Sequence, residues 1–423
     1  MKHTFQILLV MGFACSLTLL PSNALGQTGP PVSSRTEHES LQMRVVVLPF
    51  KNITRQPEDE WLGESFSESL TMALAQTDHL QLIERNQIQA ILQEQSFTQS
   101  VFADSDSAPE LGKLLGAQKI LLGNYQHIGD TLVVNTRMVD VESGQVDQRV
   151  ATQIRGASNQ VLEIQSQLSR ALIDSLQTQW PQDKAHKEIV LTQSNTAYAN
   201  YHKALQLSRL GSDQALKQAV ALLGQALKQD PDFALAHVAL SELLSTRAME
   251  PVAYPSFQKN DLEQAIVHAN QALDLNANLG SVYRALANAY YAQGERQKSQ
   301  ATIEQALQQL PGDTNTVLAY LRLQENKPVQ EVHQRLRDLR VNLSDPWIQL
   351  SLGTHYLDAV KNDLEPDLTT AFDLLSAAQK ALPDHALILL KLSEIKMLQK
   401  DYQAAESLSK QALQLDQNNY LLY

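Results

Sequence analysis

Eleven histidines are spread through the 423 residues, and no two stand at the i, i+4 spacing that puts two imidazoles on one helix face to hold a metal. They read as solvated or core side chains. Gly63-Glu64-Ser65 opens like the turn that presents a nucleophilic serine. Position 67 is Ser rather than Gly, however, and the segment has helical periodicity, so acyl transfer is not expected there. Asp104 and Asp106 sit two apart in a Ser-rich stretch, but the glycine and closing glutamate of a calcium loop are missing. No glycine-rich phosphate loop occurs. Glu84 and Arg85 read as an ion pair fixing a strand-to-helix corner, and Pro57-Glu58-Asp59-Glu60 as acids favouring the positive end of the helix that follows. The chemistry expected is that of binding: no catalytic residue, no metal and no cofactor.

Such residues need elements to place them, and the first question is where the folded chain begins. Lys2, the apolar run Ile7 to Leu20, the break at Pro21-Ser22 and the small residues of Ala24-Leu25-Gly26 have the anatomy of a secretory signal, with cleavage between Gly26 and Gln27. The run is shorter than the roughly twenty residues of a spanning helix, and no later run reaches that length. Cys15, the single cysteine, lies inside the run rather than at its end, where a lipid-anchoring cysteine would stand. The mature chain is then expected to lack cysteine and disulfides. Losing Lys2 takes the formal charge from −12 to −13. That sign argues against nucleic acid and anionic lipid, which reward basic surfaces. With 43% hydrophobic and 19% charged residues the chain is globular rather than disordered.

Residues 1–26 therefore read as signal and 27–43 as a flexible tether with Pro30-Pro31 and Ser33-Ser34. An α/β domain is expected over 44–180, a linker over 181–191 and helices alone over 192–423. In the first domain Val45 to Leu48, ended by Pro49, predicts a buried strand. Leu62, Phe66, Leu70, Ala73 and Leu74 predict one face of a helix. Further strands are expected at Leu80 to Ile83, Ile120 to Leu122, Leu132 to Val139 and Val146 to Thr152. Helices are expected around Ile88 to Leu92, Leu111 to Leu115 and Val161 to Leu172.

Beyond Pro181 the strongest signal is a repeat. Ala272 and Ala306 lie 34 residues apart, as do Ala378 and Ala412, each near the end of an amphipathic helix. Pro231, Pro311 and Pro383 each follow such an alanine by five residues. Small side chains let paired helices approach, and proline ends the second of them. These residues resemble the tetratricopeptide repeat, in about six copies. The best copy is Val282 to Pro311, with Tyr283, Leu286, Ala287, Tyr290, Gly294 and Ala306 at the family's positions. The pair near Thr314 to Leu343 is degenerate, and an insertion with Pro251 and Pro255 interrupts an earlier one. Tyr254 and Phe257 in that insertion are open between a binding loop and packing on a neighbouring repeat.

VVVLPF, LGESFSESLTMAL, LIERNQIQAILQEQ, LGKLLGAQKILLGNY and TRMVDVESGQV in the first domain resemble the CsgG family, the curli production assembly/transport component, over roughly Arg44 to Gln177. TolB-type amino-terminal domains and activators of peptidoglycan synthesis share much of the pattern. The resemblance implies a mixed sheet with helices. Asn124 to Leu132 and Gly144 to Ser158 read as short polar connections, too short for the barrel hairpins of channel-forming members.

Together these features lead to the expectation of an exported, non-enzymatic protein-binding scaffold of the cell envelope, placed in the periplasm with outer-membrane association left open. The alternative is a regulator of a cell-wall synthase or transporter acting through the α/β domain. The repeat resemblance implies that the first helix of each pair lines a peptide groove. It places Arg284, Asn288 and Tyr291 of the best copy toward a protein or peptide partner, while homo-oligomerisation through the α/β domain stays open.

Overall fold

The computed structural model describes residues 43–75, 80–83, 108–177, 191–258, 260–324, 327–362, 368–383 and 385–415. The signal and the tether up to Gln42, with Gly26 and Gln27, lie outside them, as do Glu84, Arg85, the helix expected around Ile88, and Asp104 with Asp106; Met43, expected in the tether, already belongs to the first strand.

Strand β1 (Met43–Val47) carries apolar side chains on both faces, and Val45 to Leu48 are all at most 1% exposed, as for a central parallel strand. It lies between β3 (Leu80–Leu82) and β4 (Lys119–Ile128), parallel to both. Pro49 has no N–H to give to the ladder. The chain steps out there and re-enters as β2 (Lys51–Asn52) beside Asn124 and Tyr125. β5 (Thr131–Asp140) and β6 (Val146–Ala157) continue the sheet antiparallel, in the order β3-β1-β4-β5-β6.

The expected connections at Asn124 to Leu132 and Gly144 to Ser158 are instead mostly strand. Only Gly129 and Asp130 turn between β4 and β5, and β6 fills residues 146–157. At 10, 10 and 12 residues these strands are long enough for a barrel wall, contrary to the expectation. Apart from the exposed Ile128 and Val146, their large apolar side chains are already buried or half-buried. On β6 the buried and half-buried Val150, Ile154 and Gly156 alternate with the exposed Arg149, Gln153 and Arg155. A two-residue period of this kind looks polar when read as a run.

Both sheet faces are covered. Val45, Val47 and Leu121 pack with α1 (Trp61–Leu74) and α3 (Val161–Gln177) through Phe66, Leu70, Leu168 and Leu172. Val46, Leu48, Ile120 and Leu122 pack with α2 (Ala108–Leu114) through Leu111 and Leu114, and with Leu115 just beyond it. Gly63 lets α1 close on the strands: a Cβ there would collide with the carbonyl oxygen of Phe50.

Twelve described helices then follow as six consecutive pairs, of which all but the fourth pack closely within the pair. They are α4 (Asn195–Ser208) with α5 (Asp213–Gln229), α6 (Ala234–Met249) with α7 (Asp261–Leu275), and α8 (Gly280–Ala292) with α9 (Arg296–Gln309). The others are α10 (Thr314–Leu323) with α11 (Val329–Asp338), α12 (Pro346–Lys361) with α13 (Thr369–Ala381), and α14 (Ala386–Leu398) with α15 (Tyr402–Leu415). The periodic alanines 226, 272, 306, 378 and 412 are all wholly buried. Four of them also accept the backbone N–H that closes their helix, from Asp230, Asn276, Leu310 and Leu382. The degenerate fourth pair has helices of only ten residues. In the insertion after α6, Ser256 bonds through its amide and hydroxyl to Asp213 Oδ1 at 3.0 and 2.6 Å, and Arg247 pairs with Asp261 at 3.2 Å. Tyr254 and Phe257 are half-buried there.

Candidate functional site

The helix α8 carries the three expected groove residues on one stripe, since positions 284, 288 and 291 are spaced by four and three. Asn288 is exposed and Tyr291 is 44% exposed, with the Arg296 guanidinium 5.8 Å from its ring centre. Arg284 is half-buried and already engaged. Its Nη1 donates to Asp313 Oδ1 at 2.8 Å and to Thr316 Oγ1 at 3.1 Å. Asp313 is in turn the N-cap of α10, accepting the Thr316 amide at 2.7 Å. The guanidinium is therefore held in place by the next repeat rather than waving in solvent. Glu242 on α6 lies within its field; burial holds that carboxyl above its ordinary range, opposed by Arg284.

A second set of contacts was not legible in advance: the α/β domain is joined to the solenoid at two places. At the first pair, the Trp61 ring meets Tyr198 edge-on at 6.3 Å and stacks on His202 at 5.9 Å. Gln165 Nε2 donates to both Tyr198 Oη and Ser65 Oγ at 3.2 Å. Tyr201 donates to Glu68 at 3.3 Å, and Arg209 pairs with Glu64. Burial, with Glu68 nearby, pushes the Tyr198 phenol far above its ordinary range, so it stays a neutral donor.

At the fifth pair, Gln81 Nε2 donates to Asp345 Oδ2 at 3.1 Å. Asp345 also caps α12 through the amides of Trp347 and Ile348. Gly116, at φ +64, leaves room for Leu382, whose Cδ2 would stand 2.5 Å from a Cβ there. Arg44 lies beside this joint; burial lowers its pKa and the Asp345 charge opposes that shift.

The residues weighed for chemistry and set aside have structural partners. The Ser65 hydroxyl is wholly buried and donates to Leu62 O at 3.0 Å, which leaves it no access to a substrate. The segment ahead of α1 ties strands to helix: Tyr125 donates to the Asp59 backbone carbonyl at 2.8 Å, and Asn52 to Glu60 Oε1 at 3.1 Å, while Glu60 makes no side-chain cap bond to the helix. Within the family-like segment TRMVDVESGQV, Asp140 Oδ1 accepts the Ser143 amide and hydroxyl, both at 2.8 Å, and Lys119 reaches Oδ2 at 3.0 Å. Those bonds, the Ser143 amide foremost, lower its carboxyl to about 2. These residues form the turn between β5 and β6. Among the described residues no three His, Cys, Asp or Glu side chains gather as metal ligands, and no helix is long and apolar enough to cross a membrane.

Residues 32–127 match the sequence model of the CsgG family, described as the curli production assembly/transport component. A protein of Rhizobium meliloti (strain 1021) carrying the provisional name adenylate cyclase 3 is 23% identical over 242 residues. That match takes in 55% of this chain but only 38% of the relative's length. Among solved structures, YrrB, described as a TPR protein with an unusual peptide-binding site, matches 47% of this chain and 94% of its own at 15% identity and TM-score 0.31. Human IFIT1 matches 60% of this chain and 57% of its own at 15% identity and TM-score 0.35. The LpoB C-terminal domain from Escherichia coli matches 29% and 87% at 15% identity and TM-score 0.24. The chain carries a CsgG-like domain followed by helical repeats of the tetratricopeptide type.

Proposed function

We propose that this chain is a non-enzymatic scaffold of the bacterial cell envelope that holds an extended peptide segment of a partner protein against α8. The stripe Arg284, Asn288 and Tyr291 carries this reading. It combines a guanidinium oriented by Asp313, an exposed amide one turn on, and a part-exposed aromatic ring at the end of the helix with the Arg296 guanidinium over it. An amide and a pre-oriented guanidinium suit a carboxylate or the carbonyls of an extended backbone. The tyrosine adds a rigid apolar edge at small entropic cost. The α/β domain supplies a fixed base, because it is joined to the solenoid rather than tethered by a free linker.

The compartment follows from Lys2, the Ile7 to Leu20 run and Ala24-Leu25-Gly26, which support export with a mature chain beginning at Gln27. Calorimetric titration of the full chain with synthetic peptides ending in a free carboxylate, against their amidated twins, tests the binding mode. Preference for the free acid, lost in Asn288→Ala and Tyr291→Ala, is expected. Binding that ignores both substitutions sinks the assignment to α8. Amino-terminal sequencing of protein from the native host tests export separately, and a soluble cytoplasmic protein that keeps Met1 ends that part.

A further inference from the structure

We infer that strand β6, at the edge of the sheet, is where two copies of this chain pair, antiparallel and about a two-fold axis, into one continuous sheet. In the order β3-β1-β4-β5-β6 the two ends of the sheet are unlike. β3 is described over three residues, whereas β6 runs for twelve and pairs on one side only, with β5. Its register on β5 breaks around Arg137, between Asp147 and Thr152, so the regular ladder is the half from Thr152 to Ala157. One face of this half is covered by α3. Ile154 packs on the core that contains Ile164, and a Cβ on Gly156 would stand 2.7 Å from the Ile164 side chain. The other face carries Ala151, Gln153, Arg155 and Ala157, all exposed. Edge strands that stay single are blunted by lysine, proline or a bulge. The half beyond the break has no lysine, no proline and no further shift of register.

The outer edge has main-chain bonds to give. Ser158 donates its amide to Asp130 O at 2.9 Å, on the β5 side. Backbone groups alternate in direction along an antiparallel strand, so the amides and carbonyls of Gln153 and Arg155 point away from β5. A second β6 satisfies them, and the side chains fit it. With Ile154 on the axis, Gln153 faces the partner's Arg155 and Arg155 faces the partner's Gln153. Ala151 then faces the partner's Ala157, and the half-buried Ile154 meets its own counterpart, apolar against apolar. Arg155 bonds only to Gln153 Oε1 within its own chain, at 3.2 Å, and no carboxylate pairs with it among the described residues. An axis on Arg155 instead would set two guanidiniums against each other, which is unfavourable. The pairing through Ile154 uses one patch twice and closes on itself. Addition of β6 to another copy's three-residue β3 would leave most of the edge open.

Sedimentation velocity of the full chain across the micromolar range is expected to show a concentration-dependent equilibrium of monomer and dimer. Gln153→Arg sets like charges opposite each other on both sides of the axis and should weaken the dimer about tenfold or more. Adding Arg155→Glu in the same chain restores opposite charges across the axis and should bring the dimer back. Gln153 also donates to Asn135 Oδ1 at 2.6 Å, a bond both variants lose, so the rescue separates charge from local damage. Gln153→Pro removes an outward N–H, leaves the bonds to β5 in place and should give monomer. Thermal melts of the same preparations show whether each is folded, and should Gln153→Pro fail to fold, the charge swap decides. A wild type that stays monomeric overturns the proposal, and so does a dimer that Gln153→Arg leaves intact. A dimer lost in Gln153→Arg and not regained with Arg155→Glu overturns it as well, because charge across the axis then does not govern assembly.

Discussion

Tyr198, in the first helix of the solenoid, donates its hydroxyl to the carbonyl oxygen of Ser65, in the first helix of the α/β domain, across 3.3 Å. Both residues are wholly buried, and the phenol ring sits between Trp61 and Phe233. A contact of this kind makes two sequence regions one cooperative unit. Tyr198→Ala should cost about 3–5 kcal/mol, the range for emptying a buried aromatic site. Tyr198→Phe should cost only about 1–2 kcal/mol, the loss of a hydrogen bond that leaves Gln165 short of a partner. Urea unfolding followed by Trp fluorescence and by circular dichroism should give one coincident transition in wild type. Two separated transitions in wild type would show that the domains unfold independently.

Glycine substitutions should divide by what surrounds them. Gly63→Ala drives a methyl into the Phe50 carbonyl, a backbone atom that cannot step aside, so a loss of about 1–3 kcal/mol is expected. Gly224 lies inside α5, and a methyl added there would have nothing within 4 Å, so Gly224→Ala should stabilise by about 1 kcal/mol through helix propensity. Thermal melts of both variants check the pair, and the same sign for the two would refute the packing explanation.

Much of this fold was legible because burial imposes period. Leu62, Phe66, Leu70, Ala73 and Leu74 all bury on α1 as the spacing required, and alanines 226, 272, 306, 378 and 412 all fall at the crowded helix crossings. The Gly294 turn between α8 and α9, at φ +86, sits where the repeat resemblance placed it. What escaped was of two kinds. The expected strand over Val146 to Thr152 runs on to Ala157, where the exposed Gln153 and Arg155 disguise its second half as a connection. The joints at Tyr198 and Asp345 unite residues more than a hundred positions apart, and no local pattern encodes which helix surface the α/β domain will cover. The Arg284 stripe could be placed on its helix, but its ion pair with Asp313 depends on the turn into the next repeat.

Acid should weaken the protein through His385. Burial lowers its pKa from 6.5 to about 4, so the folded chain keeps it neutral where the unfolded chain takes a proton. Because the folded pKa lies below the unfolded one, the stabilisation is intact above pH 6.5 and is lost as pH falls from there toward 4. At pH 5 the loss from this one group is about 2 kcal/mol. His268 should add to it over the same window, since burial and His237 lower it to about 4 as well. His385→Phe should flatten the fall in urea midpoint between pH 7 and pH 5. A variant as acid-sensitive as wild type would remove His385 as the cause.

The three residues of the α8 stripe should separate stability from binding, and in an order their contacts dictate. Arg284 bonds Asp313, which caps α10, so Arg284→Ala loosens the entry of the next helix and should cost about 1–2 kcal/mol of stability besides any effect on a ligand. It is therefore an ambiguous probe. Asn288 is exposed, and Tyr291 is nearly half exposed and touched by the exposed Arg296. Neither makes a bond that another helix needs, so Asn288→Ala and Tyr291→Ala should leave the melting temperature within about a degree or two, as for surface positions. If a peptide lies on this stripe, each should weaken its binding by about 1–3 kcal/mol, from a lost hydrogen bond or a lost aromatic contact. Arg284→Lys sharpens the comparison: it keeps the charge beside Glu242 but loses the fork that serves Asp313 and a ligand together. Titration calorimetry and thermal melts on the same four preparations decide it. Binding lost only in the arginine variants, in step with stability, would make Arg284 a strut between repeats and leave α8 without a ligand.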